Sequence, residues 1–155
     1  MDLKALYTQL ILDESRNPCH RYKMDRPTCC GVGKNPSCGD HLELQMKLDD
    51  GEKKIEKVSF IGEGCAISQA SASIMSELLE GKTVEEARDL LHEFIRMIRD
   101  GEVEDDAEDR LEDAVAFQDI ANMPARVRCA VLAWHTALNL LGEDDDSLID
   151  DDRIA

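Results

Sequence analysis

The sequence predicts an α+β fold, a small antiparallel β-sheet packed against helices. Residues 41–48 alternate strictly, with Leu42, Leu44, Met46 and Leu48 on one face and Glu43, Gln45 and Lys47 on the other, the period of a half-buried strand. Asp49-Asp50-Gly51 follows as a hairpin turn signal, so the next strand runs antiparallel. The later segments repeat apolar residues at helical spacing, and helices that follow strands in a run cover a sheet instead of alternating with it.

In chain order, Leu3, Leu6, Tyr7, Leu10 and Ile11 mark an amphipathic helix over residues 3–14. Residues 15–37 lose periodicity and carry Pro18, Pro27, Pro36, Gly31 and Gly33, which reads as a long loop. Loops of that length in small domains are usually functional or mobile. After the 41–48 strand a second is expected near 54–61, with Val58 and Phe60 on one face; Ile55 is out of phase, which predicts a later start or a bulge. Gly62 and Gly64 flank the turn into Cys65, and a helix is expected from about Ile67 to Glu80, stopped by Gly81. Its run Ala70-Ser71-Ala72-Ser73 permits close packing. Thr83 and Glu86 form a capping box for a helix that turns Val84, Ala87, Leu91, Phe94, Ile95 and Ile98 inward. Residues 100–113 are dominated by Asp and Glu and read as an exposed linker into a short helix around 110–118, so that 99–118 stands as an acidic insertion. Pro124 opens a final helix whose stripe is Val127, Val131, Trp134, Leu138 and Leu141, with Gly142 ending it. The reading is one domain over 1–142 and a solvated acidic tail over 143–155.

The chain has 155 residues and a net charge of −16. That balance argues against a nucleic-acid partner, which needs clustered Lys and Arg, and suits a partner with a basic face, or solubility alone. No apolar run reaches the roughly 18 residues of a membrane span, and the first residues lack a signal-peptide pattern. A cytoplasmic protein is therefore expected. Reducing compartments disfavour disulfides, so the six cysteines read as metal ligands or reactive thiols.

Cys38 and Asp40 are separated by Gly39, whose freedom lets both side chains face one ion. Cys65 just precedes a helix, where amides and dipole favour a thiolate, and Cys129 lies in the first turns of the last helix. Three thiols and one carboxylate make a complete tetrahedral zinc shell. The intervals between the cysteines, 27 and 64 residues, are far longer than in a zinc finger. Spacing alone therefore leaves open three separately buried thiols.

Asn35-Pro-Ser-Cys-Gly-Asp40, Gly62-Glu-Gly-Cys-Ala-Ile-Ser-Gln-Ala-Ser-Ala-Ser73 and Pro124-Ala-Arg-Val-Arg-Cys-Ala130 resemble the three motifs of the IscU/NifU-N family of iron–sulfur cluster assembly proteins. The resemblance spans roughly residues 3–141. The insertion, and Arg128 where cluster-scaffold members have a histidine, place it nearest the SufU branch. It implies that Cys38, Asp40, Cys65 and Cys129 ligate zinc. It further implies that Cys38 accepts persulfide sulfur from a PLP-dependent, SufS-type cysteine desulfurase, leaving the metal as a partner side chain replaces it, with delivery to other Suf assembly proteins. The PLP would be the partner's. The alternative is a scaffold on which iron or a [2Fe–2S] cluster is built, and a third reading is a purely structural zinc domain. Arg126 and Arg128 beside Cys129 would offset the site's negative charge, or are simply solvated. His41 is a candidate ligand or a donor behind the ligands, unless its strand turns it away from Asp40. Cys19, His20, Cys29 and Cys30 could bind a second metal or relay sulfur, or be loop residues with no role in the chemistry.

Overall fold

The computed structural model describes residues 3–35 and 39–142, with side chains from residue 8 onward. Helix α1 (Leu3–Arg16) leads into strand β1 (Cys29–Asn35), then β2 (Asp40–Leu48) and β3 (Ile55–Glu63). Helices α2 (Ala66–Leu79), α3 (Val84–Asp100) and α4 (Asp105–Leu111), a 3₁₀ stretch (Glu112–Asn122) and α5 (Pro124–Leu140) complete the order. The strands form an antiparallel sheet in the order β1-β2-β3, with helices packed against it. This is the α+β architecture expected from the sequence.

Leu42, Leu44 and Met46 of β2 and Val58 and Phe60 of β3 are fully or almost fully buried, as the alternation requires. The phase problem at Ile55 is a bulge: Lys47 pairs with Lys57 but Leu48 pairs with Ile55, leaving Glu56 extra. Ile55 thereby returns to the core, fully buried. The β2–β3 turn is held by Asp49, whose Oδ1 accepts the Lys53 amide at 2.8 Å. That bond holds its carboxyl below the usual range.

Helix α5 is the central element. Every residue from Arg128 to Leu138 is buried, so it is a core helix and not a surface helix with one apolar stripe. Trp134 stacks on Phe94 of α3 with ring centroids 3.6 Å apart. Its Nε1 donates to Ser71 Oγ of α2 at 2.8 Å, and Ser71 donates to the Ala130 carbonyl at 2.5 Å. The small residues of α2 thus allow close packing and also supply the bond that satisfies a buried indole. The Thr83–Glu86 capping box is formed by both of its bonds, each 3.1 Å.

Two expectations require correction. The long loop expected over 15–37 contains β1, which pairs with β2 along its whole length, from Cys29↔Met46 to Asn35↔Asp40. Its inner face is nearly bare of side chains because α5 crosses it closely. A methyl added at Gly33 would collide with Thr136 Oγ1, and one at Gly31 would lie 2.8 Å from Leu140 Cδ2. The rest of the segment covers the edge of β3, where the Phe60 amide donates to the His20 carbonyl at 3.0 Å. His20 Nε2 in turn meets Glu80 Oε1 at 3.0 Å.

The acidic stretch 100–113 is exposed at most positions, as expected, but it is helical over Asp105–Leu111 and anchored to the core at two residues. Ala107 and Leu111 of α4, and Ala114, Phe117 and Ile120 of the 3₁₀ stretch, are buried. Phe117 meets Phe94 edge-on at 6.0 Å. Spacings of three and four residues carry this apolar face through the acidic sequence. The expected tail, 143–155, lies outside the described residues. Among the described residues no helix is long and apolar enough to cross a membrane.

Gly33→Ala should destabilise the protein by about 1–3 kcal/mol through overpacking against α5. Thr136→Ala in the same chain should recover part of the loss, as read by denaturant melts of the four-member cycle. A Gly33→Ala protein as stable as wild type would contradict the close crossing of β1 and α5.

Candidate metal centre

Three element ends converge at one edge of the sheet. β1 ends at Asn35 and β2 begins at Asp40, and these two residues pair directly. The short connection returns through Gly39, in the left-handed region at φ +77°, with its amide bonded to the Asn35 carbonyl at 3.0 Å. β3 ends at Glu63, and the chain turns through Gly64 to Cys65, the N-cap of α2. No side chain fits at Gly64. A methyl there would collide with Ser68 Oγ and stand 3.0 Å from Asp40 Oδ1. Gly62 holds φ +126°, and a methyl there would strike the His41 carbonyl. These two glycines let the start of α2 close onto the start of β2.

Asp40, Cys65 and Cys129 meet at that junction, with one ligand atom from each lying within 4.8 Å of the others. Asp40 is 2% exposed and Cys129 1% exposed, while Cys65 is half-buried. The Cys65 amide donates to Asp40 Oδ1 at 2.9 Å, and Asp40 Oδ2 stands 3.9 Å from Cys65 Sγ. One carboxylate oxygen is therefore engaged by the backbone while the other faces the sulfur. The Asn35 amide Nδ2 approaches Cys129 Sγ at 3.9 Å, a donor that would orient the thiolate as an outer partner does at a metal site. The sequence reading quoted Asn35 within its motif without giving it a role. Its position at the end of β1, one residue before Pro36, is the signal that marks it.

The Cys65 thiol is held well below its ordinary value, to about 5. Its hydrogen bond from Cys129 is the main cause, with the Ser68 amide adding to it; burial and the Asp40 charge oppose. The donor set fits a thiophilic divalent cation. Tetrahedral zinc with sulfur at ~2.3 Å places ligand atoms about 3.5–3.8 Å apart, a few tenths of an ångström from the 3.9 Å seen between Cys65 Sγ and Asp40 Oδ2.

Cys38 lies outside the described residues. Arg128 is buried beside Cys129, whereas Arg126 is exposed in the first turn of α5. His41 is exposed, since strand alternation sends it to the face opposite Asp40. Cys19 and Cys30 are exposed and Cys29 is half-buried. Burial, with Cys30 and Glu52 nearby, raises the Cys29 thiol. Among the described residues neither these cysteines nor His20 belong to a cluster of three potential ligands.

The NifU-like N terminal domain family matches residues 6–135. The chain is 45% identical over 136 residues, 88% of its length and 92% of the relative's, to a protein of Thermotoga maritima named iron-sulfur cluster assembly scaffold protein IscU. It is 38% identical over 133 residues, covering 86% of itself and 87% of the relative, to the zinc-dependent sulfurtransferase SufU of Bacillus subtilis. Among solved structures it superposes on a SUF-system scaffold protein from Fervidobacterium islandicum. The TM-score there is 0.80 at 35% identity, over 90% of this chain and 99% of that one.

A folded thiol value depressed to about 5 contributes stability that is fully present above the ordinary thiol range, ~8.5, and is lost as pH falls through about 5. In metal-free protein, alkylation of Cys65 mapped by mass spectrometry should therefore reach half its maximal rate near pH 5. Cys129→Ala should move that midpoint up, because it removes the principal donor. An unchanged midpoint would contradict the Cys129 hydrogen bond as the cause.

Proposed function

The chain belongs to the family of NifU-like N-terminal domains, the IscU and SufU proteins of iron–sulfur cluster assembly. On that premise we propose that it is a zinc-dependent sulfurtransferase that accepts persulfide sulfur on Cys38 from a SufS-type cysteine desulfurase in the cytoplasm. The proposed unit is a single domain over residues 1–142. The observation that carries the proposal is the meeting of Asp40, Cys65 and Cys129, whose ligand atoms lie within 4.8 Å of one another. Cys38 is two residues from Asp40 in the chain, so covalent geometry keeps its α-carbon within about 7 Å of the Asp40 α-carbon, and it is the proposed fourth ligand.

Zinc held there would keep its thiolates deprotonated at neutral pH. The chain's own residues do the rest. Asp40 fixes the start of α2 through the Cys65 amide, and Asn35 holds the buried Cys129 sulfur. Arg128, buried and next to Cys129 in the sequence, would offset the charge of anionic ligands. In the transfer step the Cys38 thiolate attacks the outer sulfur of the donor persulfide. A new S–S bond forms on Cys38 as the donor's S–S bond breaks, and the donor cysteine leaves as its thiolate. The donor's basic face is matched by the net charge of −16.

The second reading, assembly of a [2Fe–2S] cluster on the same ligands for delivery to apo-proteins, is favoured by the scaffold name of the Thermotoga relative. Thiolate sites accept both metals. Arg128 in place of a ligating histidine favours the transfer reading.

The purified protein should be colourless, contain about one zinc per chain and stimulate desulfurase turnover severalfold. Cys38→Ala should abolish stimulation without unfolding the chain. Asp40→Ala should lower zinc affinity in chelator competition by more than the roughly tenfold that losing an outer partner of a ligand costs. A brown protein carrying a [2Fe–2S] spectrum, with turnover unaffected by Cys38→Ala, would replace the transfer reading by the scaffold one.

A further inference from the structure

Three thiolates on one cation raise a question of selectivity, since each is a nucleophile and the proposed function needs one acceptor. Access alone does not answer it. Cys129 is buried, but Cys65 is half-buried, so a small electrophile can reach its sulfur. What marks these two sulfurs is the donors around them. The Asn35 amide Nδ2, itself buried, approaches Cys129 Sγ at 3.9 Å. Ser68, the third residue of α2, is fully buried. Its hydroxyl donates to the Cys65 carbonyl at 3.1 Å, and its amide and hydroxyl both help to hold the Cys65 thiol down. A hydroxyl carries one proton on a rotatable bond, so the same group serves the carbonyl or the sulfur of Cys65. The Ser68 oxygen fills the space that a side chain at Gly64 would take, because a methyl there would collide with it.

We propose that Ser68 and Asn35 determine which of the metal-bound sulfurs reacts, by quieting Cys65 and Cys129 and leaving the acceptor role to Cys38. A hydrogen bond to a thiolate stabilises its negative charge and draws on the lone pair that would attack. The intrinsic nucleophilicity of a thiolate falls as it becomes less basic, with a Brønsted slope of about 0.4–0.5. The cation acts on every sulfur it holds, whereas these donors act on two named ones. Sulfur lodged on Cys65 or Cys129 would take a ligand from α2 or α5, the helices that frame the site. Both donors are positioning residues, because they act through the cysteines they touch. The inference rests on the acceptor reading above for the role of Cys38, and on the geometry at Cys65 and Cys129 for the roles of Ser68 and Asn35.

The test is alkylation of the zinc-loaded full chain by limiting iodoacetamide near neutral pH, mapped by mass spectrometry. In each event the thiolate sulfur bonds to the reagent's carbon as iodide leaves. The exposed Cys19 and Cys30 report the reagent dose in every variant. In wild type Cys38 should react faster than Cys65 and Cys129. Ser68→Ala should speed Cys65 by about three- to tenfold, the loss of a hydrogen bond to a charged group scaled by the Brønsted slope. Ser68→Thr keeps the hydroxyl and should leave Cys65 slow. Asn35→Leu should speed Cys129 and leave Cys65 unchanged. In cobalt-loaded protein, Ser68→Ala should move the sulfur-to-cobalt charge-transfer band to longer wavelength with the ligand-field bands in place, whereas altered packing would move both. Cys65 or Cys129 outpacing Cys38 in wild type overturns the proposal. So does a Cys65 rate unchanged in Ser68→Ala, or one raised equally in Ser68→Thr. Desulfurase stimulation compared between wild type and Cys38→Ala tests the acceptor reading separately. Stimulation that survives Cys38→Ala sinks that reading while the alkylation pattern still supports the donors, and a failed pattern with stimulation lost in Cys38→Ala sinks only the donors.

Discussion

At the candidate site the start of α2 is tied to the sheet by the Cys65 amide, which donates to the Asp40 carboxylate at 2.9 Å. The rest of the site depends on this contact. It places the N-cap of α2 against the first residue of β2, directs the other carboxylate oxygen at the Cys65 sulfur, and requires the side-chain-free Gly64 to let the two approach. Cys129 is then delivered from the opposite side by α5, a helix buried around its circumference. The Trp134–Ser71–Ala130 bonds lock α5 to α2. Two thiols and a carboxylate from distant parts of the sequence therefore share a small volume because rigid elements end there. Ligand geometry held by regular elements is better defined than geometry held by loops.

The hydrogen bond from Cys129 holds the Cys65 thiol down to about 5, below neutral pH. A site of this kind is prepared for a cation before one arrives, because little proton release is left to oppose binding at Cys65. The same preparation serves either a zinc ion that guards a sulfur acceptor or iron brought as cargo. Family membership is shared by relatives with both names.

Much of this was legible in the amino-acid sequence because the decisive signals are local. The alternation through Leu42, Leu44 and Met46, the Thr83–Glu86 box and Pro124 each specify an element without reference to its neighbours. Ile55 out of phase announced the bulge that the register shows. What escaped was decided by tertiary packing. Strand β1 has no apolar alternation, because the residues that face α5 are Gly31 and Gly33, and the absence of a side chain reads as a loop when the helix it accommodates is 100 residues away. The stretch beyond Asp100 looked like a solvated linker because acidic residues outnumber the apolar ones. Yet Leu111, Ala114 and Phe117 recur at helical spacing, and burial follows that period more than the average charge. At the site, the candidate ligands came from motifs, whereas the Asn35 amide follows from three-dimensional placement.

Coordination itself is the central claim, and X-ray absorption at the zinc edge of the purified, metal-loaded protein reads it directly. The account predicts a four-coordinate shell of three sulfurs at about 2.3 Å and one oxygen at about 2.0 Å, falling to two sulfurs in Cys129→Ala. A shell of nitrogen and oxygen without sulfur, or a sulfur count unchanged by that substitution, would contradict it.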